Sequence, residues 1–341
     1  MKSDFVKEYK NYNKRRLTII FALLILLLLS IQVALLIGSF EVNFQNIKDF
    51  WTDENSTINR VITQIRMPRV VASVLTGAVL SVAGVVSQSL MRNPLASPFT
   101  LGISSSSAFG AAFAILFLVE QVGAYSQYII GFSAFLWSMV SIVLIIILSR
   151  MKNSNPQTII LSGVVLSALF SAGISALQYF ANDVQLANMV FWSFGDMGRS
   201  GWEDIALVFG CFCIGFIYFM KKSWSYNLLK TGDDYAKSLG INPEKIRLQG
   251  MILASLITAL TVAFYGMIGF VGLLGPHIMR RIIGNNEMFL IPSSAVFGAL
   301  LLLLADTFAR TIISPIILPV GIVTSFLGAP LFIYLLIKSK H

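Results

Sequence analysis

Charge is scarce in this chain. Only 12% of its 341 residues are Asp, Glu, Lys or Arg, where a soluble globular protein carries roughly 25%. So few ionic side chains cannot cover a water-facing surface of this size. That excludes an ordinary soluble enzyme, and with it disordered and collagen-like chains. Cysteine is scarcer still: Cys211 and Cys213 are the only two. They lie too close together within one apolar run to staple a fold, and they read as small packing residues. There are two histidines, and no His, Asp or Glu cluster at one depth such as a membrane-embedded enzyme needs. No Gly-rich loop runs into Lys-Ser or Lys-Thr, so the chain has no phosphate cradle with which to hydrolyse ATP itself. Full charges are nearly missing from the centres of the apolar runs. His277 and Asp306 fall near run ends, which leaves an ion-driven carrier without its mid-membrane ionisable residue.

Apolar side chains are what the sequence has in plenty: 56% of residues, with a mean hydropathy of +0.78. They fall into ten runs, at 17–38, 70–90, 99–119, 128–149, 158–180, 205–220, 250–265, 268–283, 289–304 and 316–337. The stretch 250–284 admits two passes or one kinked element. Ten spans of about 20 residues take about 200 of the chain, leaving little for soluble domains. The chain therefore reads as an all-α polytopic membrane protein, a single transmembrane domain over 1–341. The first run is longer than a signal-peptide core and closes on no small-residue cleavage pattern, so it reads as a retained span. An even number of spans returns the C-terminus to the side of the N-terminus.

Lys and Arg in the connections set the orientation. With the N-terminus inside, 19 of the 25 basic residues fall inside and six outside, namely Lys48, Arg60, Arg66, Arg69, Arg199 and Arg310. The reverse orientation would invert that bias, so both termini are expected in the cytoplasm. The net charge of +9 thus belongs to cytoplasmic loops, and a nucleic-acid partner is excluded.

The outer connection 40–65 is partly acidic, with Glu41, Asp49, Asp53 and Glu54. The inner connection 221–249 is the most soluble-looking piece after the N-terminal tail. There Thr231 or Asp233 can cap a short helix, Ala236 and Leu239 give it a small apolar face, and Gly240 ends it. A second short helix is expected from Pro243, since proline suits a first helical turn. Two small cytoplasmic helices form a dock for a soluble partner, from which a chain without an energy-coupling site draws its energy. Small residues are dense at Gly77, Ser81 and Gly84 and through 102–112, and they let helix backbones approach closely in lipid. The proline-interrupted segments 93–98 and 272–277 are candidate breaks, tolerable at membrane depth only when buried in protein or facing a cavity.

Taken together, particular residues carry a family resemblance. Arg66-Met67-Pro68-Arg69, Gly77-Ala78, Gly84, Gln88 and Arg92-Asn93-Pro94-Leu95-Ala96-Ser97-Pro98 with Leu101-Gly102 closely resemble the permease subunits of ATP-binding-cassette importers for iron-siderophores, haem and vitamin B12. So do Gly269-Phe270-Val271-Gly272-Leu273, Pro276-His277 with Arg280, Ala305-Asp306 with Arg310, and Leu318-Pro319-Val320-Gly321 leading to Leu327-Gly328-Ala329-Pro330. The motifs run in order from residue 66 to 330.

The resemblance implies a ten-span type II importer permease in a bacterial or archaeal cell membrane. The subunit would pair with itself or a paralogue, with two ATPase subunits beneath and a substrate-binding protein above. It would be no enzyme and hold no cofactor, with ATP and Mg2+ bound by the ATPase. Arg66, Arg69 and Arg310 resemble arginines that receive acidic residues of the binding protein. Thr231, Gly232, Ala236, Leu239 and Gly240 resemble a coupling helix seated in the ATPase, with Asp233-Asp234 where the family often has Glu after the glycine. Asn93 and Leu95, with Thr158, resemble the cytoplasmic gate. The solute implied first is an iron-siderophore chelate, with haem and corrinoid next. Pro276-His277 is read as a bend that begins a helix.

Overall fold

The computed structural model describes residues 2–38, 56–121, 123–150 and 156–337. Much of the expected outer connection, with its four acidic residues and Lys48, lies outside these residues, as do Lys152, Lys338 and Lys340. Among the described residues all regular structure is helical. The helices are α1 (Lys2–Leu36), α2 (Met67–Met91), α3 (Ile103–Phe117), α4 (Ser126–Arg150), α5 (Pro156–Phe180), α6 (Asp183–Ser193), α7 (Trp202–Thr231), α8 (Asp233–Ser238), α9 (Pro243–Tyr265), α10 (Val271–Ile283), α11 (Glu287–Thr311) and α12 (Val320–Ile337). A helical turn at Thr57–Arg60 and a π-helix at Val61–Arg66 lead directly into α2.

Each of the ten expected runs holds a helix. Among the described residues, seven candidate spans are long and apolar enough to cross a bilayer. α3 and α10 have 15 and 13 residues, about 22 and 20 Å at 1.5 Å per residue. Both fall short of a hydrocarbon layer about 30 Å thick. Each follows an irregular segment, 92–102 before α3 and 266–270 before α10, much of it buried, the condition under which lipid tolerates such backbone. The stretch 250–284 is thus two elements.

Three boundaries differ from expectation. The second break comes earlier than 272–277: the chain turns at Gly266 (φ 75°) and Phe270 (φ 66°), and Pro276 lies inside α10 instead of beginning a helix. α7 runs through the expected connection to Thr231, because its lysines are good helix formers and no breaker intervenes before Gly232, whose φ of 131° suits glycine alone. The second small helix from Pro243 is the first turn of α9, capped by Asn242, which accepts from the Lys245 N–H. α6 was not anticipated. Its signal is a capping box in which Asn182 accepts from the Gln185 N–H and Gln185 accepts from the Asn182 N–H.

α2 is the core of the bundle, buried along nearly its whole length against α11, α9, α10 and α7. A Cβ on Gly77 would lie 2.2 Å from the Gly298 carbonyl oxygen, and one on Gly84 would lie 1.8 Å from that of Gly272, so these contacts exist only because the residues are glycine. α1 lies outside α11 and exposes Phe21, Leu28 and Leu29. α5 likewise exposes Leu161, Val165 and Leu169, apolar surface that suits a lipid solvent. Some buried hydroxyls are satisfied by main-chain carbonyls within the bundle: Thr258 donates to the Ala254 carbonyl and Ser133 to that of Gly110.

Candidate functional sites at the two ends of the bundle

The charges that the bundle admits gather at its two ends. At the first, the short lead-in from Ser56 and the first turn of α2 bring Arg66 and Arg69 beside the last turns of α1 and α11. The Arg69 Nε donates to Asp306 Oδ1 and Oδ2 at 3.0 and 3.1 Å, and its Nη2 to Oδ1 at 2.9 Å. Nη2 also lies 3.3 Å from Asp196 Oδ1. One helical turn beyond Asp306, the Arg310 Nε sits 3.2 Å from Asp306 Oδ2, while its Nη2 donates to the Ala34 carbonyl at 3.1 Å. Arg66 donates to the carbonyls of Leu35 and Leu36 at 2.8 and 3.0 Å.

The physical reason is plain. A helix end leaves four carbonyls without intrahelical partners and carries partial negative charge. At α1 two arginines supply the donors. Asp306, fully buried, is in turn the counter-ion that lets Arg69 and Arg310 sit inside. The three arginines expected at the outer mouth are therefore brought together, but at 4%, 6% and 5% exposure and turned into the chain. Asp306 and Asp196 were not singled out as their partners. Asp196 is held by its N–H, which donates to the Tyr265 carbonyl at 2.9 Å, and by the Gly198 N–H, which donates to its Oδ1 at 2.8 Å. The Asp-x-Gly spacing was the available signal.

Beside this end a cavity of about 420 Å3 is lined by Tyr128, Trp192, Asn188, Arg199 and Asp204 among others. Burial draws the Arg199 guanidinium below its ordinary value, opposed by the nearby Asp196 carboxylate.

At the opposite end, α2 stops at Arg92, a non-glycine residue in the left-handed region (φ 48°). The Asn93 N–H closes on the Gln88 carbonyl, and Asn93 Oδ1 accepts from the Leu95 N–H at 2.9 Å. Asn93 lines a crevice of about 460 Å3 whose walls are 91–94 on one side and Pro156, Gln157 and Ile160 on the other. Leu95 and Thr158 flank it in sequence; Leu95 is exposed and Thr158 half-buried.

Next to the crevice stands the short helix α8. Gly232 separates it from Thr231, the last residue of α7. It closes with the Ile241 N–H on the Ala236 carbonyl and the Gly240 N–H (φ 79°) on the Lys237 carbonyl, a Schellman ending. Ala236 is fully buried, whereas Leu239 is 52% and Tyr235 54% exposed. The expected apolar face is therefore split, with Ala236 inward and Leu239 outward beside Tyr235.

Beneath, Lys230 pairs with the fully buried Glu287, which also accepts from Ser89 Oγ at 2.6 Å, and Lys230 donates to the Asn285 carbonyl at 2.8 Å. Arg280 donates to Gln88 Oε1 at 2.8 Å. Arg16, near the N-terminus, donates to the Ile283 carbonyl at 2.8 Å with its guanidinium over the rings of Tyr12 and Phe289.

The model of the FecCD transport family matches residues 23–338. A relative from Methanocaldococcus jannaschii, named as an ABC transporter permease protein, is 49% identical over 98% of each chain. The hemin transport system permease protein of Yersinia pestis is 34% identical over 96% of this chain and 97% of its own. A solved chain described as an inward-facing, metal-chelate type ABC transporter is 34% identical, superposes with a TM-score of 0.84, and covers 94% of this chain and 99% of its own.

Proposed function

This chain belongs to the FecCD transport family, and from that premise we propose that it is the membrane permease of a binding-protein-dependent importer whose cargo is an iron chelate. An iron-siderophore complex is the first choice and haem the next. The family match over residues 23–338 carries the reading; relatives named for hemin and for metal chelates support the substrate class. Two related permeases, or two copies of this one, form the conduit. A separate ATPase supplies the energy and binds ATP and Mg2+, and a binding protein delivers the cargo from outside. Both termini and the α8 end face the cytoplasm, and the Arg69 end faces out; the lysine and arginine bias supports that orientation.

In this reading α8 is the lever. ATP binding moves it, the helices rock, and the crevice beside Asn93, Leu95 and Thr158 opens and closes. Thr231, Gly232 and Gly240 give α8 its articulation, Ala236 seats it, and Leu239 with Tyr235 meets the ATPase. Replacing Leu239 and Tyr235 by Asp is expected to weaken ATPase association by about 2 kcal/mol, a roughly 30-fold loss on co-purification, with the permease still folded. Undiminished co-purification removes α8 from the interface.

At the outer end, Arg66, Arg69 and Arg310 are proposed to receive the binding protein's carboxylates by turning outward on docking from the buried positions they hold in this structure, a contact that guanidinium geometry favours. The test uses Arg66→Gln, because Arg69 and Arg310 also hold Asp306. Docking affinity should fall by about tenfold in a pull-down, roughly 1.4 kcal/mol, and unchanged docking assigns Arg66 to α1 alone. The whole reading is tested in vesicles: the chain without its partners should move no ferric chelate, and uptake by the chain alone would overturn it.

A further inference from the structure

A lever needs a linkage to what it moves. α8 lies 141 residues beyond Arg92 in the chain, and its own packing is against α7 and α9. One side chain joins it to the crevice. Asp233, the first residue of α8, accepts from Arg92 Nη2 through Oδ1 at 2.6 Å. The same carboxylate takes Arg247 Nη2 at 3.0 and 3.1 Å. Arg247 is itself buried, and its Nε holds the Leu90 carbonyl at 3.1 Å. Both guanidinium groups therefore tie Asp233 to the last turn of α2: one through that turn's main chain, the other through the residue that ends it. Arg92 also lines the crevice wall, next to Asn93.

The geometry around the knot suits transmission. Gly232, immediately before Asp233, is at a φ of 131°, so the joint between α7 and α8 is a glycine, the residue with the most permissive backbone. Past that joint, Asp233 is fastened to Arg92, whose left-handed backbone turns the chain into 93–97. Contiguous hydrogen-bond and ion-pair networks of this kind can carry coupling between distant parts. Resting on the reading of α8 as lever and 93–95 as gate, we infer that Asp233 is a positioning residue that converts movement of α8 into movement of the gate loop, with Arg92 as its receiver and Arg247 as the fixed anchor on α9.

The experiment uses the permease purified with its ATPase, with Cys211 and Cys213 changed to Ser and Leu95→Cys as the reporter. The rate at which a water-soluble maleimide labels position 95 is measured with and without ATP, alongside ATP hydrolysis. In the parent, nucleotide should change the labelling rate at least fivefold. Arg92→Gln, and Asp233→Asn in parallel, should cut that ratio below twofold while hydrolysis stays within twofold of the parent. Arg92→Lys should restore it, and the double variant should be no worse than either single one.

A ratio retained in Arg92→Gln overturns the link, and so does a parallel loss of hydrolysis, which would mark a merely structural pair. A parent with no nucleotide response at position 95 overturns the gate reading beneath, and the link with it, and is told apart because it needs no substitution at Arg92.

Discussion

Asp306→Ala should be among the most damaging single substitutions in the protein, lowering stability by about 3–5 kcal/mol. The carboxylate is fully buried and takes two nitrogens of Arg69 at 2.9–3.1 Å, with the Arg310 Nε at 3.2 Å. Removing it leaves the buried Arg310 guanidinium without its carboxylate and Arg69 with Asp196 alone, at 3.3 Å, and burying an uncompensated charge is what makes broken internal ion pairs expensive. The partners should matter less one at a time. Arg69→Met leaves Asp306 with Arg310, and Arg310→Met leaves it with Arg69, so each single loss should be smaller than that of Asp306→Ala. Equilibrium unfolding in mixed detergent micelles gives the order. A loss below about 1 kcal/mol for Asp306→Ala, the range of an exposed pair, would show that water reaches the site and that Asp306 is no hub.

That hub also marks how far the sequence could be read. Arg66, Arg69 and Arg310 were legible as one end of the molecule, because span parity and the positive-inside bias put them on the same side. The pairing of Arg69 with Asp306 was not legible, because the two are 237 residues apart and nothing local to Arg69 points to Asp306. The existence of ten apolar elements followed from hydropathy alone, whereas their ends did not. Lys221 and Lys222 looked like the start of a connection, yet lysine sustains a helix until Gly232 forces the turn. Pro276 looked like a break, yet α10 absorbs it because the chain has already turned at Gly266 and Phe270. Ala236 and Leu239 looked like one face of a helix, and a six-residue helix ended by Gly240 turns them apart. Function came through residue order and not through site chemistry: the motifs from Arg66 to Pro330 carried the resemblance, while the ties at Asp233 and Glu287 join segments that no motif connects.

The second large effect comes from the same feature of Pro276. Lacking an N–H, Pro276 offers no hydrogen bond to the carbonyl four residues before it, that of Gly272, and this carbonyl lies against Gly84 of α2. A Cβ built on Gly84 would lie 1.8 Å from that oxygen, 2.7 Å from its carbon and 3.0 Å from the Gly272 Cα. All three atoms are backbone, so no rotamer change relieves the clash and α2 must separate from α10. Gly84→Val is therefore expected to lose about 3 kcal/mol, the upper end for overpacking, and Gly84→Ala to lose stability as well, although alanine is the better helix former. Gly210 supplies the comparison: it lies on exposed α7 with nothing within 4 Å of a built Cβ, so Gly210→Ala should gain roughly 0.5–1 kcal/mol. The same substitution at two helical glycines is thus expected to have opposite signs, decided by what faces the missing methyl group. Unfolding midpoints for the pair test it directly: if Gly84→Ala is neutral or stabilising, α2 and α10 are not in backbone contact, and the core is not close-packed at this crossing.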